Sequence, residues 1–168
     1  FSLNKQILEQ KSADPIPDYR VKTTLQQATQ LMKRNRDILF ENDNEDKPIS
    51  IIITTLAGHA YLNQSDLFEA LSALVKTMPK YIQEINGEYW VMNPVNQAEN
   101  FADKWGEHPQ RRTKLLNWLQ SLDAELIKVN DCQNISEVQS LLEKMLGESI
   151  TQAVLKEMEA QTKVDSPS

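Results

Sequence analysis

The sequence predicts an all-α helical bundle with at most one short β element near residues 88–92, and three observations carry that expectation. Only 4 of the 168 residues are glycine. Leu, Gln, Lys, Glu and Ala fill long stretches, and these residues lose little in a helix. Apolar residues return at three- and four-residue spacing, the period of an amphipathic helix rather than of a strand. Taken in order, residues 1–18 form a linker, because Pro15 and Pro17 remove backbone donors and restrict their predecessors. A chain that opens on Phe1 rather than methionine, without a signal-peptide core over Phe1 to Leu8, is expected to be a fragment of something longer. The first strong helix runs from about Val21 to Phe40, with Leu25, Ala28, Met32 and Leu39 on its apolar stripe and Lys22, Gln26, Lys33 and Arg36 on the flank.

The acidic stretch Glu41 to Asp46 reads as a solvated loop, and Pro48 stands where a helix can start. Ile49 to Leu56 is β-branched enough to suggest a strand. Its apolar character continues to Tyr61, past normal strand length, and favours a buried helix over 48–61. Ser65 then serves as N-cap of a helix to about Glu84, kinked at Pro79. Asn86-Gly87 marks a tight turn before the β element. Helices follow over Glu99 to Trp105 and Pro109 to Leu126. Two more, opened by Ser136 with Gln139 and by Ser149 with Gln152 and separated by Gly147, extend to about Gln161. Residues 19–130 thus form the main helical domain, 131–162 two additional helices, and 163–168 a disordered tail.

Composition narrows the function classes. Hydrophobic residues make up 40% and charged residues 25%, ordinary globular usage, and no apolar run is long enough to span a bilayer. A net charge of -6 and a pI near 5.0 argue against direct nucleic-acid binding and against anionic membranes. The single cysteine, Cys132, excludes an internal disulfide framework and fits a cytoplasmic protein.

Most site chemistry is missing from the motifs. There is no phosphate loop and no Cys/His cluster. His59 and His108 lack a second ligand at metal-binding spacing, so no metal site is expected. Ser50 with His59 makes no nucleophile–base pair with an acidic orienter. Asp43 and Glu45 form an Asp-x-Glu pair, but in a polar loop with no strand to fix it. The run Lys33 to Asp37 stands out. A lysine at the edge of an amphipathic helix and a hydroxyl at the next helix start can meet a polyphosphate as point charge and donor, although most such runs are simply a solvated face.

Read together, Leu25-Gln26, Leu31 to Asp37, Lys47 to Ala57, Asn93 to Asn96 and Glu99 to Trp105 resemble the C-terminal helical half of bacterial nucleotidyltransferases related to cyclic GMP-AMP synthase and oligoadenylate synthetase, the CD-NTase family, over roughly Tyr19 to Leu126. The resemblance implies a two-lobed parent enzyme whose N-terminal core would hold two Mg2+ ions through a Gly-Ser turn and acidic residues. Neither has a match here, since the glycines precede His59, Glu88, Glu107 and Glu148. Residues 1–18 would then be a remnant of that core, and the fragment alone would be inactive. By resemblance Lys33 contacts the triphosphate of ATP or another NTP and Ser50 assists it, with Gln26 and Arg36 as weaker candidates. The block Asn93 to Trp105 reads as packing, with Asn96 and Glu99 as an N-cap arrangement. The implied partners are the N-terminal core of the same polypeptide, nucleoside triphosphates and regulatory proteins; the implied role is CBASS antiphage signalling through cyclic di- or trinucleotides or linear oligonucleotides. A free-standing helical interaction module without catalysis is the competing reading.

Overall fold

The first helix begins where its end groups find partners. Gln26 N–H donates to Thr23 Oγ1 (3.2 Å) and Thr23 N–H donates to the Gln26 side chain (2.9 Å), a reciprocal capping box that opens α1, Thr24–Leu39. The computed structural model describes residues 22–165, with side chains as far as residue 160; the expected linker over 1–18 and the helix start at Val21 lie outside the described residues. Leu25, Ala28 and Met32 are buried as the stripe predicts, whereas Leu39 is 55% exposed.

Burial decides the ambiguous second segment. α2, Ser50–Ala60, is a helix despite its β-branched residues, because Ile52, Ile53, Leu56, Ala57 and Ala60 all bury and no single strand face could take them. α3, Leu67–Thr77, is capped by Asp66 rather than Ser65: the Asp66 carboxylate accepts from Phe68 N–H at 3.3 Å. The expected continuation to Glu84 does not occur. Pro79 sits in the first turn of a 3-10 segment, Met78–Tyr81, which ends the helical run.

Residues 83–100 hold more β structure than the single expected element. β1, Gln83–Ile85, pairs antiparallel with β2, Glu88–Trp90, across Asn86-Gly87. Both turn residues take positive φ (51° and 80°), as a two-residue hairpin turn of this kind requires. β3, Met92–Asn93, pairs with β4, Asn96–Asn100, with a register shift between Met92 and Asn93. The helix expected over 99–105 is therefore strand, turn and a 3-10 turn, Asp103–Trp105. Asparagine amides explain the difference. Asn96 Oδ1 accepts from Ala98 N–H (3.2 Å) in a local turn instead of capping a helix. Asn100 Oδ1 accepts from Val91 N–H and Ala102 N–H (both 2.9 Å), and its Nδ2 donates to Tyr89 carbonyl (3.0 Å), so one side chain joins both hairpins to the following turn.

α4, Gln110–Asn130, runs a turn beyond the expected end. By contact the chain divides within this helix into two compact units, up to Asp123 and from Ala124 on. In the first unit Leu115, Trp118, Leu119 and Leu122 bury with residues of α1, α2 and α3 in the core, each side chain contributing about 1.5–3 kcal/mol. Trp118 Nε1 donates to Asn35 Oδ1 at 2.8 Å within that core. In the second unit α5, Ile135–Leu146, and α6, Glu148–Asp165, form a helical hairpin through Leu142, Met145, Leu146, Thr151 and Val154. Its caps differ from those expected. Asn134 accepts from Glu137 N–H (3.0 Å) and the Glu137 carboxylate accepts from Gln133 N–H (2.8 Å), which leaves Ser136 inside the first turn. Gly147, at φ 84°, makes the break, and α6 begins at Glu148 with Ser149 already helical. The helix continues through Asp165, past the expected start of the tail; residues 166–168 lie outside the described residues. No helix among the described residues is long and apolar enough to cross a membrane.

Candidate functional site

The junction of α1 and α2 gathers the candidate residues around one guanidinium. Arg36, on the last turn of α1, is 7% exposed. Its Nη1 donates to Pro48 carbonyl (3.0 Å) and to Ser50 Oγ (2.9 Å), while Nη2 and Nε meet Asp37 Oδ1 at 2.9 and 3.0 Å. Lys47 Nζ reaches the same Asp37 oxygen at 2.6 Å. Burial pushes the Asp37 carboxyl up, but the hydrogen bonds and charges of Lys47 and Arg36 together outweigh it and hold the group below its ordinary value.

What this clasp presents is the start of α2. Ile49 is its N-cap and has no side chain to cap with, so the first amides of α2 lack intrahelical acceptors and the positive end of the helix dipole points outward beside the exposed Ser50. Lys33 lies one turn before Arg36 on the same side of α1. It is half-buried, and burial first and the Arg36 charge second lower its pKa. No carboxylate pairs with it among the described residues. Two cations, Arg36 and Lys47, therefore hold one carboxylate beside an open helix N-terminus, with Lys33 one turn away along α1 and Leu39, Ile49 and Ile51 exposed (55%, 50% and 40%). Chemically the junction is suited to an anion.

The four residues expected at a nucleotide do not all sit alike. Arg36 and Ser50 are in direct contact, and Lys33 is one turn away. Gln26 is about two turns further back, its amide engaged in the capping box. Arg36 spends its donors on protein groups, which makes it the residue that positions Ser50. Lys47 and Asp37 were missed in the sequence because their pairing spans a loop.

That loop is exposed at Glu41, Asn42, Asn44 and Glu45, as expected, but not at Asp46, and Asp43 is half-buried. Lys114 Nζ, on α4, bonds Asp43 Oδ2 (2.6 Å) and Asp46 Oδ2 (2.7 Å), and Asp46 Oδ1 also meets Gln110 Nε2 (3.2 Å) and Arg111 Nε (3.4 Å). Asp46 is 8% exposed. The hydrogen bond from Lys114 leads in holding the Asp46 carboxyl below its ordinary value, and bonds to Asp43 and Asp46 hold the Lys114 amine above its own. The basic run Arg111-Arg112-x-Lys114 facing an acidic loop was the signal for this pairing. Asp43 thus serves an ion pair rather than a partnership with Glu45, and among the described residues no group of three His, Cys, Asp or Glu side chains could hold a metal ion. The residues present do not fit Mg2+.

A separate open cleft of about 860 Å3 lies over the hairpins, lined by Tyr89, Trp90, Asn100 and Trp105 among others. Arg112 stacks on Tyr89 at 3.8 Å. None of the sequence-derived candidates lines the cleft.

Comparison with known proteins follows the same outline. No family model matches the chain. It is 33% identical over 134 residues to a c-di-GMP synthase of Roseivirga ehrenbergii, covering 79% of this chain and 36% of that protein. It is 26% identical over 165 residues to the cyclic dinucleotide synthase CdnG of Bradyrhizobium diazoefficiens, covering 89% of this chain and 39% of that one. The solved structure of the Bradyrhizobium diazoefficiens CD-NTase CdnG in complex with GTP shares the fold, with a TM-score of 0.66 at 24% identity over 94% of this chain and 49% of that chain. The chain spans less than two fifths of the length of these curated relatives. By sequence and fold, then, the chain belongs with the CD-NTase-like proteins, related to cyclic dinucleotide synthases over that part of their length.

Proposed function

We propose that the chain is the helical lobe of a nucleotidyltransferase and closes over the triphosphate of an NTP, in a parent enzyme that makes cyclic di- or trinucleotides or linear oligonucleotides. The observation that carries this reading is the α1–α2 junction, where the Arg36 bond to Ser50 Oγ (2.9 Å) presents an uncapped helix start beside Lys33. Lys33 supplies a point charge to the polyphosphate, and Ser50 and the first amides of α2 supply donors. Arg36 holds Ser50 and adds to the field without spending its own donors on the ligand. Fixing the triphosphate in this way orients the α-phosphorus for attack by a ribose hydroxyl, with pyrophosphate as leaving group. The magnesium ions of that chemistry would be held by a core lobe and not by these residues, so the chain alone is inactive. Gln26 falls to a structural role in this reading.

GTP stands beside ATP as a substrate to test, since the CdnG structure was solved with GTP. The biological setting that fits is cytoplasmic antiphage signalling. The free-standing interaction module is less well supported, because Leu39, Ile49 and Ile51 are exposed around the charged junction, where the lobe reading asks for a neighbouring domain. Turnover of ATP and GTP with magnesium by the parent protein tests the proposal. Lys33→Ala should lower turnover roughly 10- to 100-fold, the worth of one charged hydrogen bond, and Ser50→Ala less. Unchanged turnover and affinity in Lys33→Ala would remove the basis of the proposal.

A further inference from the structure

The loop of residues 41–48 delivers Ser50, and it is fastened at two places. At its end Arg36 holds Pro48 carbonyl and Ser50 Oγ. In its middle Lys114 reaches across from α4 to Asp43 and Asp46 at 2.6 and 2.7 Å, and Gln110 and Arg111 add contacts to the largely buried Asp46. Asp46 N–H further donates to Asp43 Oδ1 (3.2 Å), so the lysine grips a loop already folded on itself. Lys47, which pairs with Asp37 at the anion-suited junction, follows Asp46 directly. An ion pair of this sort adds little stability on the surface, where each charge is already well solvated. Here both carboxylates meet one ammonium, one of them is buried, and the segment they fix ends at the open N-terminus of α2.

We infer that Lys114 is a positioning residue for the triphosphate: with Asp43 and Asp46 it sets the conformation of residues 43–50, so that Lys47, Ser50 and the first amides of α2 stand ready before the ligand arrives. This rests on the triphosphate reading of the junction. Preorganisation by a supporting shell costs affinity when it is lost, even though the supporting residue never touches the ligand.

The test titrates inorganic tripolyphosphate into the full chain and follows the Ser50 and Ile51 amides by NMR. Lys114→Met should weaken binding by about three- to tenfold and shift those amides in the free protein, and Lys114→Arg should keep both close to wild type. Asp43→Asn separates a clamp from a mere field. Removing a negative charge strengthens anion binding if only the field matters, whereas loss of the clamp weakens it. The inference expects Lys114→Met and Asp43→Asn to change affinity in the same, weakening direction; opposite signs, or unmoved Ser50 and Ile51 amides, overturn it. Should Lys114→Met fail to fold, Asp43→Asn, which leaves the Asp46 bond in place, carries the same test. If wild-type protein binds no tripolyphosphate, the triphosphate reading falls as well. If Lys33→Ala weakens binding while Asp43→Asn and Lys114→Met leave it unchanged, only the clamp falls.

Discussion

Residues 24–60 and residues 83–105 both carry strings that resemble the same nucleotidyltransferases, yet they are held in different ways. In the first region the helices are fixed by burial: Met32, Ile53 and Leu56 are fully buried, and the spacing of such residues already names the helix faces. In the second the strands are only 2–5 residues long, their side chains are largely exposed or half-buried, and the geometry is held by the amide of Asn100 and the turn at Asn86-Gly87. Periodic burial is written along the chain. A side chain that bonds backbone nine and eleven residues away, as Asn100 does, is not, and the neighbouring Asn96 reads as a helix cap although it serves a local turn.

The largest effect should come from the first region and scale with volume. Ile53→Ala should cost about 2–5 kcal/mol in urea unfolding and Ile53→Val about 0.5–1.5, because each removes packed methyl groups from a site with no solvent access. Next, Asn100→Ala should cost about 2–3 kcal/mol by orphaning Val91 N–H and Tyr89 carbonyl, whereas Asn100→Asp, which keeps both acceptor roles, should cost less. A cost for Asn100→Ala within about 0.5 kcal/mol would mean that packing holds the hairpins too, and the contrast would vanish. Arg36→Met should fall near 2 kcal/mol, since Pro48 carbonyl loses a buried donor, and it should weaken phosphate binding as well.

The smallest effect is on pH dependence. Asp46 has its carboxyl below the ordinary value near 3.8, so its contribution is complete above that value and fades as pH falls further, through its folded-state pKa. Asp46→Asn should therefore flatten the acid limb of the stability curve below about pH 4 and leave its neutral part parallel to wild type. An unchanged acid limb would mean that Lys114 holds the loop through contacts other than this charge.

Much of the fold could be read in advance where burial repeats. The helix at 24–39 and the burial of Leu115, Trp118 and Leu119 follow from spacing, whereas the helix at 50–60 follows only from the length of an apolar run whose β-branched residues also suit a strand. Cap residues were misassigned by one or two positions at Ser65 and Ser136, because Asp66 and Asn134 satisfy the same amides and local sequence does not rank the two. At the site, Lys33 and Ser50 were indicated by resemblance, and the contact between Arg36 and Ser50 needed the turn between the helices to be known. The Lys114 clamp spans 68 and 71 residues, a separation at which only the complementary charges of the two segments gave a hint.

The most direct test of the central claim, that the α1–α2 junction holds a triphosphate, is an NMR titration of the chain with GTP and with ATP, in wild type and in Lys33→Ala. The account predicts saturable shifts of the Ser50 and Ile51 amides in wild type and markedly weaker binding in Lys33→Ala. Shifts confined to Trp90 and Asn100 in the hairpin cleft, or equal binding by both proteins, would contradict it.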